Sequence, residues 1–133
     1  FLGRLHPDAL GRYYRHARAL IVPSVCYETF GIILIEAFRQ GVPVIARRLG
    51  PFPEIVTAAG AGDLFETPQE MRSSMDAFLV DDDRRSRLGE AGRRAFVEHW
   101  SESAVIPRYL DVIARAAERR GMSSLLAKLE RVH

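Results

Sequence analysis

Apolar runs and amphipathic stretches alternate along the first half of the chain, as expected of parallel strands connected by helices. Residues 1–5 read as the end of a strand. Residues 8–18 predict a helix, with Pro7 and Asp8 as start signals and Leu10, Tyr13, Tyr14 and Ala17 packing on one face. The wholly apolar run 19–22 fits a strand buried on both faces. A loop over 23–30 leads to a helix over about 31–40, which Gly41 stops. Next come a strand over 42–46, where Pro43 is tolerable only near the start, and a Gly- and Pro-rich loop over 49–53. A helical turn over about 54–58 and a strand over 62–65 complete the alternation. The remainder reads as helix: 68–80, 83–99, 101–120 and a tail from Ser123. The long helix after Ser101 and the tail have few apolar residues for their length, and are expected to pack over a neighbouring surface.

Composition narrows the possibilities. A chain of 133 residues with 47% apolar content can build one ordinary core. A net charge of +2 gives no blanket positive field, so nucleic acid is not an expected partner. The charge is uneven: residues 1–60 hold seven arginines against four acids. That suits an anionic small ligand, although solvated surface arginines give the same count. One cysteine excludes an internal disulfide framework and points to a reducing, cytoplasmic setting. No apolar run approaches the roughly 20 residues that span a bilayer, so any membrane association is expected to be peripheral. The apolar, strand-like start at Phe1-Leu2-Gly3, without an initiator Met, suggests a segment cut from a longer sequence.

The candidate chemistry lies between residues 23 and 37. In open parallel sheets, ligands sit at the carboxyl ends of strands, where this loop falls. Gly31 opens a helix without a side chain, leaving the amides of Gly31, Ile32 and Ile33 accessible to a phosphate. Taken alone, one glycine at a helix start is more often a plain strand-to-helix turn. If the site is real, valine at Gly31 should weaken binding and leave the melting temperature near normal. Glu28 and Glu36 stand eight positions apart, up to roughly 12 Å along a helix axis. That is too far for a carboxylate pair acting on one bond, which needs about 5–10 Å. It suits the two ends of an extended ligand, since carboxylates accept well from vicinal hydroxyls. A structural salt bridge would also account for Glu36, which stands in an otherwise apolar stretch.

Several segments together resemble one family. They are Phe1-Leu2-Gly3-Arg4, the Ala19-Leu20-Ile21-Val22-Pro23-Ser24 strand, Glu28-Thr29-Phe30-Gly31, Glu36-Ala37, Gly41-Val42-Pro43-Val44-Ile45 and Pro53-Glu54-Ile55-Val56. Their order and spacing over about residues 1–100 resemble the C-terminal, donor-binding domain of retaining glycosyltransferases of GT-B architecture. This is the group 1, sucrose-synthase-like family, which includes bacterial mannosyl- and glucosyltransferases. Trp100-Ser101 resembles the start of that family's final helix. The implied fold is α/β: a Rossmann-like parallel sheet with flanking helices, the C-terminal half of a GT-B fold, followed by C-terminal helices. Residues 1–100 would form a partial nucleotide-sugar-binding domain and 101–133 the C-terminal helices. The N-terminal acceptor domain would lie on the same polypeptide or a separate chain.

The resemblance also implies roles. Glu28 would hold hydroxyls of the donor sugar near the anomeric centre and is the catalytic candidate. Phe30, Gly31 and Ile32 would present amides to the sugar and diphosphate, with Thr29 and Ile33 in the same donor-binding segment. Glu36 would take the ribose hydroxyls, and the turn at Arg4 and Leu5 would border the nucleobase. The implied activity is hexosyl transfer from a UDP-, GDP- or ADP-hexose with retention, without a metal or cofactor. The cationic clamp for the diphosphate lies upstream in that family, so this segment alone is expected to be inactive. The sequence departs from the family at Gly50, followed by Pro51-Phe52 rather than a second glycine.

Other readings are bounded by single residues. Cys26 has no histidine in the motif to activate it and is expected to be a small buried packing residue. His6 and His16 fit surface positions. Arg47 and Arg48 follow a strand end and are expected to be solvated, with phosphate contact as the rival. The acidic run Asp81-Asp82-Asp83 fits cap and turn material better than a metal loop. A non-catalytic binding or assembly domain and a nucleotide-sugar epimerase are the alternatives to a transferase. A phosphorylase is disfavoured because the only lysine, Lys128, lies in the tail, and a dinucleotide oxidoreductase because no Gly-x-Gly-x-x-Gly follows a strand.

Overall fold

The computed structural model describes residues 2–129. The chain divides after Phe96 into two compact units. The first contains α1 (Pro7–His16), β1 (Leu20–Val22), α2 (Ile32–Arg39), β2 (Val44–Arg47), α3 (Phe52–Ala59), β3 (Gly62–Phe65), α4 (Pro68–Val80) and α5 (Asp82–Ala95). The three strands form one parallel sheet in the order β1-β2-β3, with Leu20 opposite Val44 and Val44 opposite Gly62.

β2 is central, and Val44, Ile45 and Ala46 are fully buried, as an apolar run covered on both faces must be. β1 departs from the expectation of full burial: Ile21 is 36% exposed and Leu20 half-buried, while Val22 is buried. The cause is position, since β1 stands at a sheet edge among the described residues. Residues 2–6 form no strand, contrary to the sequence pattern, and Phe1 lies outside the described residues. Gly3 turns the chain with a φ of 65°, which interrupts an extended run.

One core cluster joins Ile45 and Phe65 of the sheet to Phe78 of α4, with Ala19, Met71, Met75 and Leu88 around it. α2 buries Leu34, Ile35, Ala37 and Phe38, a helical repeat that leaves Ile32, Ile33 and Glu36 exposed. α3 begins two residues before the expected 54, because Pro53 falls in its first turn, where a missing N–H costs nothing. α5 lies close to the end of α2. A β-carbon on Gly89 would stand 2.2 Å from the Gly41 carbonyl oxygen, and one on Gly92 2.8 Å from the Phe38 ring. Arg84 of α5 reaches Asp63 of β3 at 2.6 Å.

The second unit holds most of a π-helical turn (Phe96–Trp100), α6 (Glu102–Arg119) and α7 (Ser123–Leu129). Ser101 caps α6 by accepting from the Ala104 N–H. α6 and α7 pack together, with Ala117 buried, while Val105, Tyr109 and Val112 form an exposed stripe on α6. No helix among the described residues is long and apolar enough to cross a membrane.

Candidate functional site

The carboxyl ends of the three strands gather the loop from Pro23 to Gly31, the turn from Arg48 to Pro51, and the Glu66–Thr67 junction. Arg47, the last residue of β2, ties the outer two together. Its Nε donates to the Pro23 carbonyl at 3.3 Å and an NH donates to the Glu66 carbonyl at 3.3 Å. The guanidinium lies over the Phe65 ring, 5.2 Å from its centroid. Within the first loop, the Ser24 hydroxyl accepts from the Cys26 N–H. Farther on, the backbone rests on the second turn: the β-carbon site of Gly50 lies 3.5 Å from the Glu28 carbonyl oxygen.

Gly31 ends the loop in the left-handed region, with φ 80° and ψ 49°. It is buried, and its absent β-carbon would stand 2.6 Å from Phe52 Cε1 and 2.9 Å from Cδ1. The glycine therefore answers a backbone requirement and a close ring contact. The first helical bond is Leu34 N–H to the Gly31 carbonyl, at 3.0 Å. No side chain caps this end of α2. The N–H groups of Gly31, Ile32 and Ile33 thus remain for an external acceptor, at the positive end of the helix.

Of the other predicted site residues, Glu28, Thr29, Phe30, Ile32 and Ile33 adjoin this helix start in sequence, whereas Arg4 and Leu5 lie before α1. Glu28, Thr29, Phe30, Ile32 and Ile33 are all exposed, and Tyr27 is 81% exposed. Arg4 lies in a bend and is exposed, and Leu5 is half-buried, just before the His6 carbonyl that receives the Ala9 and Leu10 N–H groups of α1. Glu36 sits on the second turn of α2. Its Oε2 accepts the hydroxyl of Tyr14 from α1 at 3.2 Å. Burial, then the Glu36 charge and this hydrogen bond, push the Tyr14 phenol up to about 12. A cavity of about 130 Å³ between the two helices is lined by Leu10, Gly11, Tyr14, Glu36, Arg39 and Gln40. A larger, open concavity of about 720 Å³ runs along β3 past Arg48, Asp63 and Glu70, and includes none of the residues predicted from sequence.

Residues 1–95 match the family described as glycosyl transferases group 1. The chain belongs to the group 1 glycosyl transferases. A D-inositol 3-phosphate glycosyltransferase from Corynebacterium kroppenstedtii is 34% identical over 124 residues, 91% of this chain and 27% of the relative. An MMP alpha-(1->4)-mannosyltransferase from Mycolicibacterium hassiacum is 30% identical over 118 residues, 86% of this chain and 28% of the relative. Among solved structures, a sucrose-phosphate synthase from Thermosynechococcus elongatus superposes with a TM-score of 0.81 at 26% identity, covering 90% of this chain and 30% of that one. The α/β arrangement is thus the Rossmann-like half of a GT-B fold. This glycosyl transferase segment spans less than a third of the length of each of these three relatives.

Several side chains of the glycosyl transferase segment differ from expectation. Cys26 is exposed, because the loop that carries it stands proud of the sheet. Arg47 is partnered through two backbone carbonyls rather than merely solvated, while Arg48 is exposed as expected, in a surface pair with Glu66 at 3.1 Å. Glu36 is exposed and meets a phenol rather than a buried ion-pair partner. Tyr13 is exposed and Ala17 with it, while Tyr14 is half-buried with its hydroxyl engaged. The clash with Phe52 overturns the expectation that valine at Gly31 would leave stability near normal. Three residues that shape the site, Arg47, Phe52 and Tyr14, were not assigned to it from sequence. Only Arg47 carried a usable signal, a cation directly after a strand.

Proposed function

We propose that this segment is the donor-binding half of a two-domain transferase. It moves a hexosyl group from a nucleoside diphosphate sugar to an acceptor with retention of anomeric configuration. The observation that carries this reading is the open start of α2. Three amides without partners among the described residues stand at the carboxyl end of a parallel sheet, with Glu28 before them and Glu36 one turn beyond. Membership of the group 1 glycosyl transferases supports it.

In this reading the amides of Phe30, Gly31, Ile32 and Ile33 receive the diphosphate and the edge of the sugar, Thr29 adjoining them. The bond from the anomeric carbon to the diphosphate oxygen breaks, its electron pair passing to that oxygen. Negative charge then develops where the helix start is most favourable to it. Glu28 stands by the sugar and stabilises the electron-poor anomeric carbon, while the acceptor hydroxyl oxygen forms the new bond and gives its proton to the departing diphosphate oxygen. Glu36 takes the ribose hydroxyls and the Arg4–Leu5 bend borders the base. Residues 1–100 serve the donor, 101–133 add helices, and the acceptor site belongs to a further domain.

Substitutions in the two-domain protein test this. Glu28→Gln should lower turnover far more than affinity for the sugar-free nucleoside diphosphate. Glu36→Gln should weaken nucleotide and nucleotide-sugar alike, by about 1.5–3 kcal/mol. Kinetics beside calorimetric titration distinguish the two; equal loss of nucleotide binding in both variants would refute the division of roles. The segment alone should release no nucleoside diphosphate from UDP-, GDP- or ADP-sugars. Turnover of about 1–1000 per second would overturn the two-domain reading.

A further inference from the structure

An exposed glutamate on a helix has three side-chain rotors to order before it can accept two hydroxyls in a set geometry, and ordering them opposes binding. Glu36 has an orienting partner. The Tyr14 hydroxyl donates to Oε2 across the gap between α1 and α2, at 3.2 Å. Tyr14 comes from a half-buried position, which narrows the freedom of its ring. The donor is also neutral. Its phenol titrates at about 12, raised by burial and by the Glu36 charge, and so keeps its proton at ordinary pH. A lysine or arginine there would offset the carboxylate charge; a phenol occupies one acceptor site and leaves the charge and the remaining acceptor sites in place.

The surroundings leave room for a ligand group. The cavity of about 130 Å³ beside the pair is lined by both residues. On its α1 wall Gly11 presents no side chain, and a β-carbon there would meet nothing within 4 Å. Glu36 lies four residues, or about 6 Å of helix rise, beyond the first residue of α2. A diphosphate at the helix start would therefore hold its ribose one step along, at this cavity.

We propose that Tyr14 is a positioning residue: its hydroxyl fixes the Glu36 carboxylate for the vicinal hydroxyls of a nucleotide ribose. The inference rests on the reading of Glu36 as the ribose carboxylate. The test is calorimetric titration of the two-domain protein with UDP, GDP and ADP and with their 2′,3′-dideoxy counterparts, using the base that binds. Tyr14→Phe should weaken the ribonucleotide about 2- to 12-fold and leave the dideoxy compound unchanged. In a Glu36→Gln background it should add nothing, since the two residues act through one contact. Both affinities come from one preparation, so their ratio is unaffected by a lower folded fraction in the variant. Equal weakening of the two nucleotides, or no weakening of either, would overturn the role of Tyr14. If Glu36→Gln itself keeps the parental preference for ribose, the reading of Glu36 fails and the inference with it. If Glu36→Gln loses that preference and Tyr14→Phe keeps it, Tyr14 alone is excluded.

Discussion

A β-carbon on Gly31 would stand 2.6 Å from the Phe52 ring, and an L side chain would also have to adopt a φ of 80°. Phe52 cannot yield easily, being 1% exposed. Gly31→Ala is therefore expected to lower stability by about 2–4 kcal/mol, from backbone strain and overpacking together. Adding Phe52→Leu should restore the steric part only, leaving a residual loss from the backbone; thermal or urea unfolding of the single and double variants measures both. A double variant as unstable as the single one would remove Phe52 from the explanation. Sequence could identify this glycine as special but could not say why. A motif shows which residue is needed, whereas the ring that excludes a side chain comes from 21 positions away. The Tyr14–Glu36 contact was hidden for the same reason: it joins two helices whose separate periodicities contain nothing about their pairing.

Elements with strong punctuation were read well from sequence. β3 and α4 begin and end as expected, at 62–65 and 68–80, because Thr67, Pro68 and Glu70 write a helix start within four positions. The cap closes as that spelling implies: the Glu70 carboxylate accepts from the Glu66 and Thr67 N–H groups, and Thr67 accepts from the Glu70 N–H. Asp81 likewise caps α5 by accepting from the Arg84 N–H, as its place between two helices suggested. Residues 2–5 were misread because apolar content signals burial without supplying a strand to pair with. The α4 cap has a pH consequence. Hydrogen bonds from the Glu66 and then the Thr67 amides hold the Glu70 carboxyl below its ordinary 4.5. A depressed carboxyl contributes stability above its unfolded value and loses it as pH falls through the folded one. Acidification below about 4.5 should therefore lower the melting temperature less steeply in Glu70→Gln than in the parent. Parallel melting curves against pH would rule out this contribution of the cap.

At the scale of the molecule, the parallel sheet brings the loops after its strands to one end, and Arg47 links the first of these to the last. Arg47→Met retains an apolar stem beside Phe65 and removes both donors. It should speed amide exchange across residues 24–31 and at Glu66, with the central strand β2 little changed; unaltered exchange in the loop would deny the tether its role. The sequence located this loop and its candidate residues, through their order after an apolar run, but not the bond that restrains it. That restraint bears on the thermodynamics of association. The loop's main chain is tethered from inside the fold at its first residue, by a guanidinium that holds the Pro23 carbonyl as well as that of Glu66, before any ligand arrives. Conformational freedom that a slack loop would surrender at the moment of encounter is already lost during folding, so binding should proceed with a small ordering entropy and a preorganised surface.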